Sequence, residues 1–180
     1  MKNLFKAHRK QRGVFAVEFA VLALGLAVLI VFCGDIVIRL STHGKLDRVA
    51  YSSVSMIRER TALFGGVDMT ASDTAQFNDL LNIARSSLQR VMPSSYEAES
   101  FGMVLEVLTF DNAGQVQPVV TFSDAVDSKC QLSSALAPII PDSATTLYRV
   151  TLCYETDNWF GDLVGKDYGT VSSNAISVGR

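Results

Sequence analysis

The first strong pattern along the chain is an apolar run without periodicity. From Val14 to Cys33 there are 20 residues, and Glu18 is the only charge among them. At the helical rise such a run covers about 30 Å, the thickness of a bilayer's hydrocarbon core. Apolar on every side, it reads as a membrane-spanning helix, with a buried core helix as the alternative. Periodicity begins after it. Leu46, Val49, Ala50, Val54, Ile57 and Phe64 keep to one helical face, and Gly65-Gly66 then offers a stop. The helix is therefore expected to continue as a stem over 14–64, about 75 Å at the standard rise, with Gly44 as a point of flexibility.

A second stripe is formed by Phe77, Leu80, Leu81, Ala84, Leu88 and Val91, the spacing of a core-facing helix. Ser72 and Asp73 are cap candidates, Arg85 and Arg90 suit its C-terminal half, and Pro93 closes it. Period-two patterning takes over afterwards. Residues 101–110 and 115–122 flank the turn-forming Asp111-Asn112-Ala113-Gly114 and predict a hairpin, with Pro118 tolerable only on an edge strand. In a third strand, 147–155, Tyr148, Val150, Leu152 and Tyr154 share one face, and Arg149, Thr151, Cys153 and Glu155 share the polar one. Thr170–Val178 predicts a short last strand. The expected fold is α+β: a long N-terminal helix, a second helix and a small antiparallel sheet. Residues 1–13 read as a leader, 14–34 as the transmembrane helix, 35–66 as the stem and 67–180 as an exported domain.

Charge orients this arrangement. Lys2, Lys6, Arg9, Lys10 and Arg12 precede the apolar run with no acid among them, so that end belongs in the cytoplasm. Without those five, 11 basic residues face 18 acidic ones, and the remainder stands at −7. That balance argues against nucleic-acid binding, which needs clustered positive charge. A cleaved signal peptide would end in a small-x-small site, whereas here the run ends Val31-Phe32-Cys33-Gly34-Asp35.

The junction Arg12-Gly13-Val14-Phe15-Ala16-Val17-Glu18-Phe19 is the most informative stretch. A charged leader ends in Gly, an apolar helix starts, and a glutamate follows at the fifth position after that Gly. A carboxylate inside a span costs up to about 2.5–3.5 kcal/mol at mid-bilayer and less near an interface, so such residues are functional by default. The arrangement resembles the type IV pilin superfamily, and within it the TadE/TadF-like pseudopilins of the tight-adherence (Tad, or Flp) branch. The resemblance implies Gly13 as the residue before a prepilin-peptidase cut, Val14 as the new N-terminus, and Glu18 with Phe19 as assembly residues. It implies a pilin-like fold, no catalysis and no cofactor. It also implies a minor pseudopilin in the bacterial inner membrane that initiates or caps a thin adhesive pilus. The implied partners are the prepilin peptidase, a sister pseudopilin, the major Flp-type pilin and the inner-membrane pilus platform. A minor pseudopilin of type II secretion and an uncleaved signal-anchored envelope protein are the alternatives.

The cysteines divide by compartment. Cys33 lies in the span and is expected as a buried small hydrophobe, while Cys130 and Cys153 fall in the exported part, where disulfides persist. The polar-face position of Cys153 fits a bridge to Cys130 in the covering segment 124–144, with two free buried thiols as the alternative. Metal ligation is disfavoured, because no Cys-x-x-Cys occurs and His43 is the single histidine after the leader. Gly161-Asp162-Leu163-Val164-Gly165-Lys166-Asp167 is one residue short of a phosphate loop and has Asp after the Lys. Asp157, Asn158, Asp162 and Asp167 are oxygen donors for Ca²⁺, but a plain solvated loop is the favoured expectation.

Overall fold

A computed structural model describes residues 11–59, 69–70, 72–111, 113–124, 130 and 145–179. One unbroken helix, α1 (Gln11–Arg58), carries both the apolar run and the stem. It passes through Gly44 without interruption, where nothing lies within reach of a side chain. The described helix ends at Arg58; Phe64 and the expected stop at Gly65-Gly66 lie outside the described residues.

The second helix, α2 (Thr74–Val91), buries Phe77, Leu80, Leu81, Ala84 and Leu88. Val91 departs from the expected stripe and is exposed, while Met92 directly after it is buried in the core. Asp73 occupies the N-cap position but does not cap the helix. Its carboxylate turns back to accept from the Thr70 backbone N–H at 2.8 Å.

Four antiparallel strands follow: β1 (Phe101–Leu108), β2 (Val120–Ser123), β3 (Leu147–Glu155) and β4 (Thr170–Val178), in the order β2-β1-β3-β4. The β1–β2 hairpin closes through Asp111, whose Oδ1 accepts from the N–H groups of Ala113 and Gln115, while Gly114 takes φ +74°. Phe110 bridges Val116 and Val107 pairs with Val120, so three steps on one side face four on the other. Pro118, which has no N–H to donate, falls in that longer stretch next to an edge strand.

One sheet face, with Phe101, Met103, Leu105, Val107, Tyr148, Val150, Leu152 and Tyr154, packs under α2 and the C-terminal half of α1. Leu46, Val49, Ala50, Val54 and Ile57 of α1 belong to that same core. The opposite face of β1 and β3, which carries the polar residues, is buried too. There Arg149 donates from Nε to Glu106 Oε2 at 2.5 Å, its partner across the β1–β3 ladder. Charges so enclosed persist because they are paired. Val104, Cys153 and Cys130 cluster on that face, as do Leu108 and Leu147.

A third helix, α3 (Trp159–Val164), interrupts the link between β3 and β4, where a solvated loop was expected. Gly165 ends it in the left-handed conformation at φ +69°. Gly161 lets Asn158 and the Lys166 carbonyl close over the turn, since a Cβ there would overlap both. Those glycines shape a helix end rather than a phosphate cradle.

Candidate functional site

The N-terminal part of α1 is bare. Every side chain from Val14 to Ile30 is exposed, including Glu18 and Phe19, and none of these residues belongs to the domain's core. The backbone of Gly13 is already helical, so the first turn starts before the position expected for a helix beginning at Val14. The residues of the junction motif thus stand together at one end of a rod. The domain is gathered at the other end.

Contact with the domain starts at the far end of the apolar run. The Phe32 and Phe160 rings meet edge-on with centroids 4.9 Å apart. One turn on, Asp35 is only 5% exposed and its Oδ2 accepts the Phe160 backbone N–H at 2.7 Å. Its Oδ1 is buried with no hydrogen-bond partner among the described residues. Arg39 donates from Nη2 to Asn158 Oδ1 at 2.9 Å and lies 5.4 Å from the Tyr168 ring centre. Asn158 in turn donates to the Lys166 carbonyl at 2.9 Å. Further along, Ser173 Oγ donates to Asp47 Oδ1 at 2.6 Å and ties β4 to the stem.

On the far sheet face, Cys130 and Cys153 form a disulfide with Cα atoms 5.4 Å apart. The bridge holds the segment before β3 against β3 itself; most of that segment lies outside the described residues. Cys33 is a free thiol and is exposed on the apolar rod rather than buried. Among the described residues, no three His, Cys, Asp or Glu side chains gather where they would hold a metal ion. Asn158 and Asp167 are instead committed to the loop itself, Asp167 accepting from the Gly169 N–H at 2.8 Å.

Comparison with family models gives a match over residues 6–180 to TadF, described as "Putative tight adherence pilin protein F". The chain belongs to the TadF family. The match covers nearly the whole sequence, and of the E and F members that the junction motif left open it falls on F. No curated protein and no solved structure gives a match.

TadF membership makes this a component of a Tad pilus and points to a structural, non-enzymatic protein. Among the described residues, one helix near the N-terminus is long and apolar enough to cross a membrane, which suggests a single-pass anchor. The group that sequence reasoning missed is the clasp of Asp35, Arg39, Asn158, Phe160 and Tyr168. A signal for it existed. Asp35 and Arg39 are the only charges between Glu18 and Lys45, and at i and i+4 they share one helix face. What meets that face is 119 residues or more away in sequence, and no periodicity reports such a partner.

Proposed function

We propose that this TadF chain is a minor pseudopilin, cut by a prepilin peptidase between Gly13 and Val14, that helps to initiate or cap a Tad-type adhesive pilus. It is held in the bacterial inner membrane by Val14–Cys33, with the N-terminus cytoplasmic and the domain periplasmic. The observation that carries this reading is the division of α1. From Val14 to Ile30 it exposes apolar surface with Glu18 as the one charge, while its C-terminal half is the spine of the domain core. Such a helix suits lateral packing with like helices, first in a bilayer and then in a fibre. The expected partners are the peptidase, a sister pseudopilin, the major Flp-type pilin and the inner-membrane platform.

Glu18 follows from the same arrangement. By family resemblance its carboxylate pairs with the amino group released at Val14, on its own chain or a neighbour's. Pairing offsets the cost of two charges held among apolar helices.

The test is co-expression with a prepilin peptidase, reading leader removal by mass and pilin association by co-purification. Gly13→Val should keep the leader, because a branched side chain blocks a narrow subsite, while the protein still inserts. Glu18→Ala should be cut and inserted but should recover fewer partner pilins. A Gly13→Val chain cut at the same bond and assembled normally would sink the reading in favour of a signal-anchored protein.

A further inference from the structure

We infer that α3 and the clasp around it form a foot that rests in the lipid interface, on the side of the membrane where the folded domain lies. The inference rests on Val14–Cys33 being a membrane span, and it concerns a surface that pilus membership does not assign.

The first observation is where α3 sits. Phe160 touches Phe32, the next-to-last residue of the apolar run, so α3 lies at the depth where the span ends. The second is what α3 presents outward. Trp159 is 60% exposed and Leu163 64%, on one stripe at i and i+4, and Val164 and Tyr168 beside them are nearly half exposed. A short helix that keeps its tryptophan and leucine out of the protein core leaves them without an apolar environment of its own. Trp and Tyr at that depth suit the boundary between headgroups and acyl chains, where an amphipathic ring has both its surroundings.

The third observation is what happens to the charges on the rod. Asp35 and Arg39 would end the apolar surface at Cys33 if they were bare. Asp35 is buried against the Phe160 N–H, and Arg39 is drawn to Asn158 and over Tyr168. Val37 and Leu40 stay well exposed on α1, and Ile36 and Ile38 beside the domain remain partly so. The clasp therefore buries Asp35, half-buries Arg39, and carries the rod's apolar exterior on to Leu40. Asp162 and Lys166, exposed and of opposite sign, fall in the same link and suit the headgroup layer. A lipid interface satisfies all these surfaces at once, which is why we assign it rather than a protein groove.

Trp159 is the chain's single tryptophan, so the full-length protein carries its own probe. It would be reconstituted in vesicles of phosphatidylethanolamine and phosphatidylglycerol, with lipids brominated either near the carbonyl end or near the methyl end of the acyl chain. Flotation after carbonate washing reports the span, and tryptophan quenching reports the foot. The expected result is a floating protein whose fluorescence falls more with the shallow label than with the deep one, and only weakly with aqueous iodide. Leu163→Asp, at a largely exposed side chain, should lessen the shallow quenching without changing flotation. A protein that floats yet is quenched by iodide and by neither lipid overturns the foot and leaves α3 as a face for a protein partner. Stronger deep quenching also overturns it, and a protein that fails to float removes the span and the foot together.

Discussion

Tyr154 shows how much one side chain can hold. Its hydroxyl donates to the Ser95 carbonyl at 2.7 Å and accepts the Glu97 N–H at 2.7 Å, pinning the link between α2 and β1 onto β3. Tyr154→Phe keeps the ring but leaves two backbone groups without that partner, which should cost about 1–3 kcal/mol by thermal melting. Burial pushes the Tyr154 phenol above its usual range, against the opposing pull of the Glu97 N–H, and burial likewise raises Tyr96 stacked beside it. A raised phenol favours the neutral form in the folded state. Its contribution is complete below the unfolded value of about 10 and is lost as pH climbs through that value and beyond. Melting temperature should thus drop above that pH, and the drop should shrink in Tyr96→Phe/Tyr154→Phe. At the same scale, thiol labelling of the denatured, unreduced protein should mark Cys33 alone, because Cys130 and Cys153 are bonded. Labelling of all three would contradict the bridge.

At the scale of elements, α2 offers a paired comparison. Leu81 is buried in the core shared by the helices and the sheet, and Asn82 beside it is exposed. Leu81→Ala should cost about 2–5 kcal/mol through lost burial and a residual cavity. Asn82→Ala should stay within about 0.5 kcal/mol. Equal losses in denaturant midpoint would mean that the helix presents a different face. The strands were readable to different depths. β3 and β4 have the bounds that alternation and composition predict, because long strands give many matches to a period of two. β2 is shorter than predicted, since Pro118 withholds an N–H and the ladder starts only at Val120. Helix α3 escaped because six residues are too few to show a period, and its glycines resemble a loop.

For the whole molecule, α1 serves two environments with one continuous backbone. Five of its side chains, Leu46, Val49, Ala50, Val54 and Ile57, lie in the core shared with α2 and the sheet. Fully burying each larger one is worth about 1.5–3 kcal/mol. Their loss together rivals a typical domain's entire stability of about 5–15 kcal/mol. A chain starting at residue 41 should therefore still melt cooperatively by circular dichroism, though with α3 released from Asp35 and Arg39. A chain starting at residue 60 should show no cooperative melt. A stable domain from the shorter chain would show that the stem is only an attachment.

The sequence by itself determined the parts whose physics is local. An unbroken apolar run needs no partner to declare itself, and stripes at helical or strand spacing report that a face is buried. The junction from Arg12 to Phe19 carried the resemblance that the family match over residues 6–180 then met. Tertiary structure decided what those faces meet. It paired Arg149 on the polar side of β3 with Glu106 across the ladder, a partner that alternation cannot name. It also brought Asn158, Phe160 and Tyr168 onto Asp35 and Arg39, more than 100 residues back along the chain. Asp35 and Arg39 share one helix face in the sequence, but the segment that meets that face is distant. Contacts between residues so far apart follow from how the helix and sheet pack, and no local pattern encodes them.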